Sequence, residues 1–539
     1  MKQVYAPKKG IAPDIDAGML SEDYWSQAGN VRFDNGRVSP IGGYEFLIQT
    51  PPSGANNVVY HMIPVRDRIS TRPNSANYVM IMRDKVVVRD NQNNTWDYID
   101  GNLWQMNGVD QQKQGHLTSC KLNGLPVWVD SEALQGEPWY WDLVLEPIVN
   151  DMQRLPGWPT DHRIRGAIVS AQYHLFAINI SIDGVSYPQR VMWSAAAEPG
   201  TIPAGADAWN PTAENDAGFV DLSEDGTAGQ FIDGIMSGDF LWLCKERAIY
   251  TAQYVGGQSI WSFRLRHSDI GALSTNCMTA LNGGLFLITE DDIGITDGNT
   301  FRSVAENRVK NTIFSQLDRT HADNTFLVHH AARHEIWCYF PMAYPNPVRA
   351  WIYDYVNDIW TTLWTKACLH AVNGRWTTTP NEPILLTSLQ NDPTETDPIN
   401  PVEGAGLWRA DDPDSTGGFP DFARSGNIHS QEYLVQRFDL PVGEPQQTAV
   451  VTDAWVQGYP LDLNAAGTFR YGTSYRRGDA QLLTDAAFDL EDVEPVNLVP
   501  QLCRYVDMQL ISDTGDAPGG AQRMRIDSVT LEGYAEGEF

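Results

Sequence analysis

Short apolar runs alternate with polar turns along the chain, and the arrangement returns about every fifty residues. Residues 78–100 show it plainly: two runs of β-forming residues flank a polar Arg83-Asp84 turn, and an aromatic, Trp96, follows late in the unit. The same order of strand, turn, strand and late aromatic begins again at residues 125, 173, 240, 284, 335 and 383, at intervals of 47, 48, 67, 44, 51 and 48. The one long interval holds 195–218, a stretch rich in Pro, Gly and Ala of the kind that repeats tolerate as a loop on one face. Helical repeats share such periods, so the pattern inside the unit has to decide. Two runs around Glu290-Asp291-Asp292 again spell a hairpin, and no window carries a capped apolar stripe of 3.6-residue period. Each unit is therefore a small antiparallel sheet.

A small sheet with two apolar faces cannot cover them alone, so copies must stack, and radial stacking gives a β-propeller. The expectation is an all-β chain: a propeller of six or seven blades over residues 56–429, followed by a β-sandwich docking domain over 430–539. Residues 1–55 form an N-terminal arm. Within it, 31–48 carry an Asp34-Asn35-Gly36 turn and a possible strand to close the ring. The late tryptophans Trp96, Trp141, Trp193, Trp261 and Trp360 are expected between adjacent sheets as core residues. Two β-sandwiches with regular strand spacing are the alternative, but a sandwich gives no reason for a late aromatic to recur. After residue 390 the texture shifts to acidic, Pro-rich loops and then to separate alternating strands. In 502–510, for example, Val506, Met508 and Leu510 share one face.

Composition agrees with this reading and narrows it. The 539 residues exceed one ordinary core, and 18 Trp, 21 Tyr, 45 Gly and 32 Pro suit sheets joined by turns. With 38 basic against 68 acidic residues the formal charge is −30, the reverse of what phosphate gripping needs. Such a surface keeps a large protein soluble, or lines a passage through which nucleic acid slides without sticking. The six cysteines lie far apart with no C-x-x-C pair and are expected as reduced, mostly buried thiols. Residues 1–20 place Asp14 and Asp16 where a signal peptide would be apolar, and no run approaches 18 apolar residues. A protein made in a cytoplasm is expected, leaving only with the particle to which it belongs.

The search for chemistry returns near misses. Gly404-Ala405-Gly406 lacks the third glycine of a dinucleotide fingerprint, and Gly257-Gln258-Ser259-Ile260-Trp261 places Trp where a nucleophile elbow needs Gly. His330 and His334 stand four apart, but strand spacing separates such residues by roughly 13 Å, too far for one ion without a third element. Residues 412–417 begin like a calcium loop, yet Ala423 holds its twelfth position. No catalytic, cofactor-binding or metal-binding residue is assigned, no cofactor is expected, and the chain is not expected to be an enzyme. A pair of facing glycosidase carboxylates stays open among 68 acids.

The opening stretch, with Gly10, Ile11, Tyr24, Trp25, Asn30, Val31, Arg32, Phe33, Gly36, Val38, Gly42 and Gly43, resembles the start of the tail nozzle (tail tubular protein B-like) proteins of short-tailed bacteriophages. Similar texture continues in 293–314 and in 348–364, where Ile352-Tyr353-Asp354 precedes Trp360. The resemblance is loose and spans about 400 residues. It implies a homohexameric, propeller-containing nozzle at the distal end of the tail tube. Such a nozzle sits below an adaptor or tubular protein, holds tail fibres, retains packaged DNA and conducts it at ejection. It also implies a place in the virion tail, assembly in the host cytoplasm and no membrane insertion. Two other classes remain: a glycan-binding or glycan-degrading tail protein, and a free propeller that binds peptide strands.

Overall fold

A computed structural model describes residues 1–34, 36–49, 58–65, 77–82, 85–90, 95–99, 117–131, 136–143, 151–223, 226, 229–257, 259–342, 346–365, 368–374, 384–388, 406–412, 434–442, 447–461, 466–479, 482–490, 494–512 and 524–538. Sheet one joins Val59–Val65, Asn77–Met82, Val86–Asp90 and Thr95–Tyr98 in chain order, every pair antiparallel. The same meander repeats in sheet two (117–154), sheet four (231–267), sheet five (278–303) and sheet six (326–364), and in sheet three (162–221) with its first strand split into His162–Ile164 and Ile168–Ala171, both paired with His174–Ile182. Sheet seven takes Cys368–Asn373, Ile384–Ser388 and Gly406–Asp412, then borrows Gly43–Gln49 from near the other end of the chain. The second strands begin at Asn77, Leu125, His174, Phe240, Gly284, Glu335 and Ile384, within one residue of the repeat starts read from the sequence.

Burial explains why that second strand carries the repeat. Asn77–Met82, Leu125–Asp130, Gly284–Ile288 and Glu335–Tyr339 are buried at every position. A strand covered on both faces reads as a continuous apolar run and not as an alternation. The covering layers are shared between sheets. Apolar clusters join sheets one to three, three and four, four and five, five and six, six and seven, and seven and one. Along the axis the first strand of each sheet packs on the first strand of the next, and Cys368–Asn373 returns to Val59–Val65. The chain is an all-β propeller, and the closing strand spares the last sheet a free edge.

The late tryptophans sit in these layers. Trp141 packs with sheets one to three, Trp193 and Trp261 lie between three and four, and Trp360 packs with sheets five and six. The side chain of Trp96 lies outside the described residues. The insertion at 195–218 is more than a tolerated loop. It carries Trp209, fully buried, against Trp158 at 4.7 Å, and Asn123 donates to the carbonyls of Glu198 and Thr201. Its apolar residues fold back over sheets two and three, so Ala197, Ile202 and Ala208 belong to their core.

The chain ends form two further sheets. Sheet eight joins Lys2–Tyr5, Val31–Asp34, Arg37–Pro40, Gln447–Pro460, Val496–Cys503 and Met524–Glu538. Sheet nine joins Gln27–Gly29, Leu434–Pro441, Ala466–Ser474, Thr484–Asp489 and Tyr505–Ser512. One apolar cluster takes residues from both sheets and reaches sheets five and six. Val506, Met508 and Leu510 are in it. The double-sheet unit therefore draws on residues 1–40 as well as on 434–538. The hairpin around Asp34 pairs into sheet eight, and the strand that completes the ring is Gly43–Gln49. An arm read from local sequence becomes integral to both sheets, because its pairing partners, such as Gln436 for Gln27, Ile526 for Val38 and Glu532 for Lys2, lie more than 400 residues away. Among the described residues the helices are short, Lys310–Gln316 being α-helical, and none is long and apolar enough to cross a membrane.

Candidate functional site

Residues 10–11 and 28–31 bond along the outer strand of sheet six, Ile359–Trp364, and the segment that holds them joins the ring to the double-sheet unit. Ile11 N–H donates to the Trp360 carbonyl at 3.1 Å, and Trp25 N–H donates to the Gly10 carbonyl at 2.8 Å. Gly10 sits at φ +75°, where an added Cβ would lie 2.6 Å from the Trp360 carbonyl oxygen, so both backbone freedom and close approach require glycine here. Asn30, also left-handed at φ 61°, donates its N–H to the Thr362 carbonyl at 2.9 Å, and its side-chain oxygen accepts from Trp364 N–H at 2.9 Å. Thr361 and Thr362 return hydroxyl bonds to the carbonyls of Val31 and Ala28. An edge that would otherwise invite foreign strands is thus covered by the chain's own N-terminal segment.

The joint is pinned on a second side by the stretch after sheet five. Trp360 donates its indole N–H to the Val304 carbonyl at 2.8 Å, and Arg308 bridges Asp358 at 2.6 Å. Helix Lys310–Gln316 lacks a side-chain cap of its own, and Asp14 supplies one. Its carboxylate accepts from the N–H groups of Asn311 at 2.7 Å and Thr312 at 2.8 Å, satisfying donors that the first turn leaves open.

At the centre of the joint lies a buried ion cluster that no local pattern announces. Arg32, on sheet eight, forks onto Glu335 of sheet six, with Nε on Oε1 and Nη2 on Oε2 at 3.0 Å, and onto both oxygens of Asp411 of sheet seven at 3.2 and 3.1 Å. Trp337 adds an indole donor to Glu335 at 2.9 Å, and Gly42 N–H donates to Asp411 at 3.0 Å. Burial alone would raise the Asp411 carboxyl, but Arg32 outweighs it and holds the group below the usual range. Arg32 is raised in turn, because its two carboxylates overcome the burial that would lower it. The sequence showed Arg32 within a phrase and Glu335 as a repeat start, but nothing in it linked them.

A second constellation lines the propeller axis. A cavity of about 340 Å³ is bounded by the first strands of sheets two to seven. Asn276, at φ 62°, ties four sheets together there. Its N–H donates to Asp233 at 2.8 Å, its carbonyl accepts from Leu327 N–H at 3.0 Å, and its amide reaches across to the Leu117 carbonyl at 3.3 Å. Burial pushes the Asp233 carboxyl up to about 6, against the opposing pull of the Asn276 and Gly234 N–H groups. It pushes the Cys120 thiol up to about 12 despite the Ser170 hydroxyl, so Cys120 is a poor nucleophile. The rings of His61 and His370 lie 4.1 Å apart, centroid to centroid, tilted by 41°, where sheet one meets sheet seven.

The sequence candidates fall in ordinary places. Ser259 is exposed in the turn after Ile249–Tyr254, where Gly256 and Gly257 take positive φ; this is a hairpin tip with no elbow. His330 is buried in sheet six, 4.0 Å from Glu335. The histidines that do meet are His329 and His334, each 3.2 Å from the Tyr355 hydroxyl. A tight turn with His334 at φ 59° folds the chain back, which extended-strand spacing could not foresee. The calcium-like loop from 413 and the Gly404-Ala405 stretch lie outside the described residues. Among the described residues no three His, Cys, Asp or Glu converge as metal ligands.

No protein-family model matches the chain, and no curated protein matches it by sequence. Solved structures to which it is similar include the β-propeller domain of Cps50 (Swd1) from Myceliophteria thermophila, at 10% identity over 68% of this chain and 99% of that one, TM-score 0.39. The β-propeller domain of the trilobed protease from Pyrococcus furiosus, with its open velcro topology, aligns at 9% identity over 68% and 99%, TM-score 0.34. An exo-β-1,3-galactanase from Phanerochaete chrysosporium aligns at 10% identity over 80% and 99%, TM-score 0.24. Likeness at this level says nothing about activity or partners, and the propeller architecture of this chain stands on its own strand pairing.

Proposed function

We propose that this chain is a structural protein of a short-tailed bacteriophage virion, the nozzle at the distal end of the tail tube. On this reading each of the seven ring sheets is a blade, and sheets eight and nine are a β-sandwich docking unit. Six copies surround a lumen that retains packaged DNA and conducts it during ejection, beneath an adaptor or tubular protein, with tail fibres as further partners. One observation carries the reading. The three stretches that resemble nozzle proteins, around 10–43, 293–314 and 348–364, meet in a single joint, where Gly10 and Ile11 sit on Trp360 and Trp360 on Val304. That the resembling stretches converge on one connection between the ring and the double-sheet unit supports a mechanical role for it.

The axial cavity of one ring is about 340 Å³, the size of a small-molecule pocket, so on this reading the DNA passage lies between copies and not within one. A charge of −30 per copy suits the wall of such a passage, since it repels phosphate. Electron microscopy of the purified protein, with light scattering for mass, is the test. The expected image is a six-membered ring with an open centre. A stable monomer would support a peptide-binding scaffold instead, and a trimer that cleaves or retains host surface glycan would replace the reading with a sugar-directed tail protein.

A further inference from the structure

We infer that His61 and His370 form an acid-sensitive latch at the seam where the first and last sheets of the ring meet. The seams elsewhere on the axis are tied by groups of several kinds. Thr118 and Ser170 hydroxyls link sheets two and three, the Asp233 carboxylate and Ser237 hydroxyl link four and five, and Leu327 N–H and the Ser274 hydroxyl link five and six. Sheet one is held on both sides by imidazole. Met62 N–H donates to His370 Nδ1 at 3.2 Å across the seam with sheet seven, and His61 Nε2 lies 2.8 Å from the Ser119 hydroxyl across the seam with sheet two.

The chemistry of Nδ1 makes this contact conditional. It accepts a backbone N–H only while it carries no proton, and a protonated imidazole would turn N–H against N–H. The two rings also touch, so protonating both would set two positive charges about 4 Å apart. Little nearby relieves that. Ser119 and Cys120 of sheet two and Phe326 of sheet six at 6.1 Å face the pair, the Thr387 hydroxyl of sheet seven bonds the His370 carbonyl behind it, and Asp233 and Lys121 stand on other walls of the cavity. Among the described residues no carboxylate acts on either ring, and the charge that His370 feels is that of His61. Burial holds His61 down to about 4 and His370 well below its ordinary value. Both are therefore neutral while the seam is shut, and an opened seam takes up protons at ordinary histidine values.

The test is amide hydrogen exchange of the whole protein, read on peptides covering 59–65 and 368–373 after correction for intrinsic rates. From pH 7.5 to pH 5.0, opening at this seam should grow by roughly thirtyfold for each imidazole that regains a pKa near 6.5. The seam between Leu117–Leu122 and Ile168–Ala171 should change far less. A double variant, His61→Gln with His370→Asn, keeps amide atoms near Nε2 and Nδ1 but does not titrate, and should lose the acid response. Unchanged wild-type protection down to pH 4.5, equal loss at every seam, or a full acid response in the double variant would each overturn the latch. Because the wild-type profile decides by itself, a variant that folds poorly does not rescue the idea. Nor does the outcome depend on whether six copies assemble.

Discussion

Arg32 shows how one residue can commit two parts of a fold to a single geometry. Its guanidinium is buried and fully engaged by Glu335 and Asp411, whose side chains are also almost wholly buried. Removing one member of such a cluster leaves the others charged and dry, which typically costs about 3–5 kcal/mol. Arg32→Ala should lower stability by that amount in urea unfolding. Arg470→Ala, which breaks a largely exposed bridge to Asp485, should cost under ~1 kcal/mol. Asp233 offers a different residue-scale prediction. Its folded value of about 6 exceeds the ordinary 3.8, so the native state binds the extra proton. The associated stability is fully present below pH ~4 and is lost as pH rises through 6, on the order of 3 kcal/mol at most. The histidine pair runs the other way, contributing stability above pH 6.5 that is lost on acidification toward 4. Urea unfolding across pH 4 to 8 should show Asp233→Asn steepening the net acid loss, because it removes a group that opposes that loss.

At the scale of elements, the outer strand of sheet six depends on a segment more than 300 residues away in sequence. Gly10→Ala would force a side chain into the Trp360 backbone at a left-handed φ, and strain with lost hydrogen bonds should cost about 1–3 kcal/mol. The expected signature is local. Exchange protection should fall over 359–364 and 8–32 while sheets one to four hold theirs. The repeat itself was legible because the second strand of each sheet is buried on both faces, so its apolar run survives in the bare sequence. The Trp360 phrase was legible for the same reason. The ion cluster and the Asn276 hub were not, since their members stand 303 and 379, or 43 and 159, residues apart and each is unremarkable alone.

Across the whole molecule, the ring and the double-sheet unit share an apolar cluster as well as the joint, so they should melt together. Differential scanning calorimetry should give one transition for the wild type. Arg32→Ala should split it, with the double-sheet unit melting first, and a single unsplit transition in that variant would argue that the apolar contact alone couples the two. If six copies assemble, a formal −30 on each opposes the contact. Raising salt from low to physiological strength should then shift sedimentation toward the ring by screening that repulsion.

What the sequence determined by itself was everything that repeats or is local: an all-β chain, small antiparallel sheets and their period, aromatic layers between sheets, and an excess of acid. Those properties follow from hydrophobic pattern, which each segment carries within itself. Only the tertiary structure decided that residues 1–40 belong to sheets built from the far end of the chain, that Gly43–Gln49 completes the ring, and which polar groups meet at the joint and along the axis. Long-range partners such as Lys2 with Glu532 or Arg32 with Asp411 are chosen by the geometry of the assembled sheets. A lone residue in one segment holds no record of where its partner will come to lie.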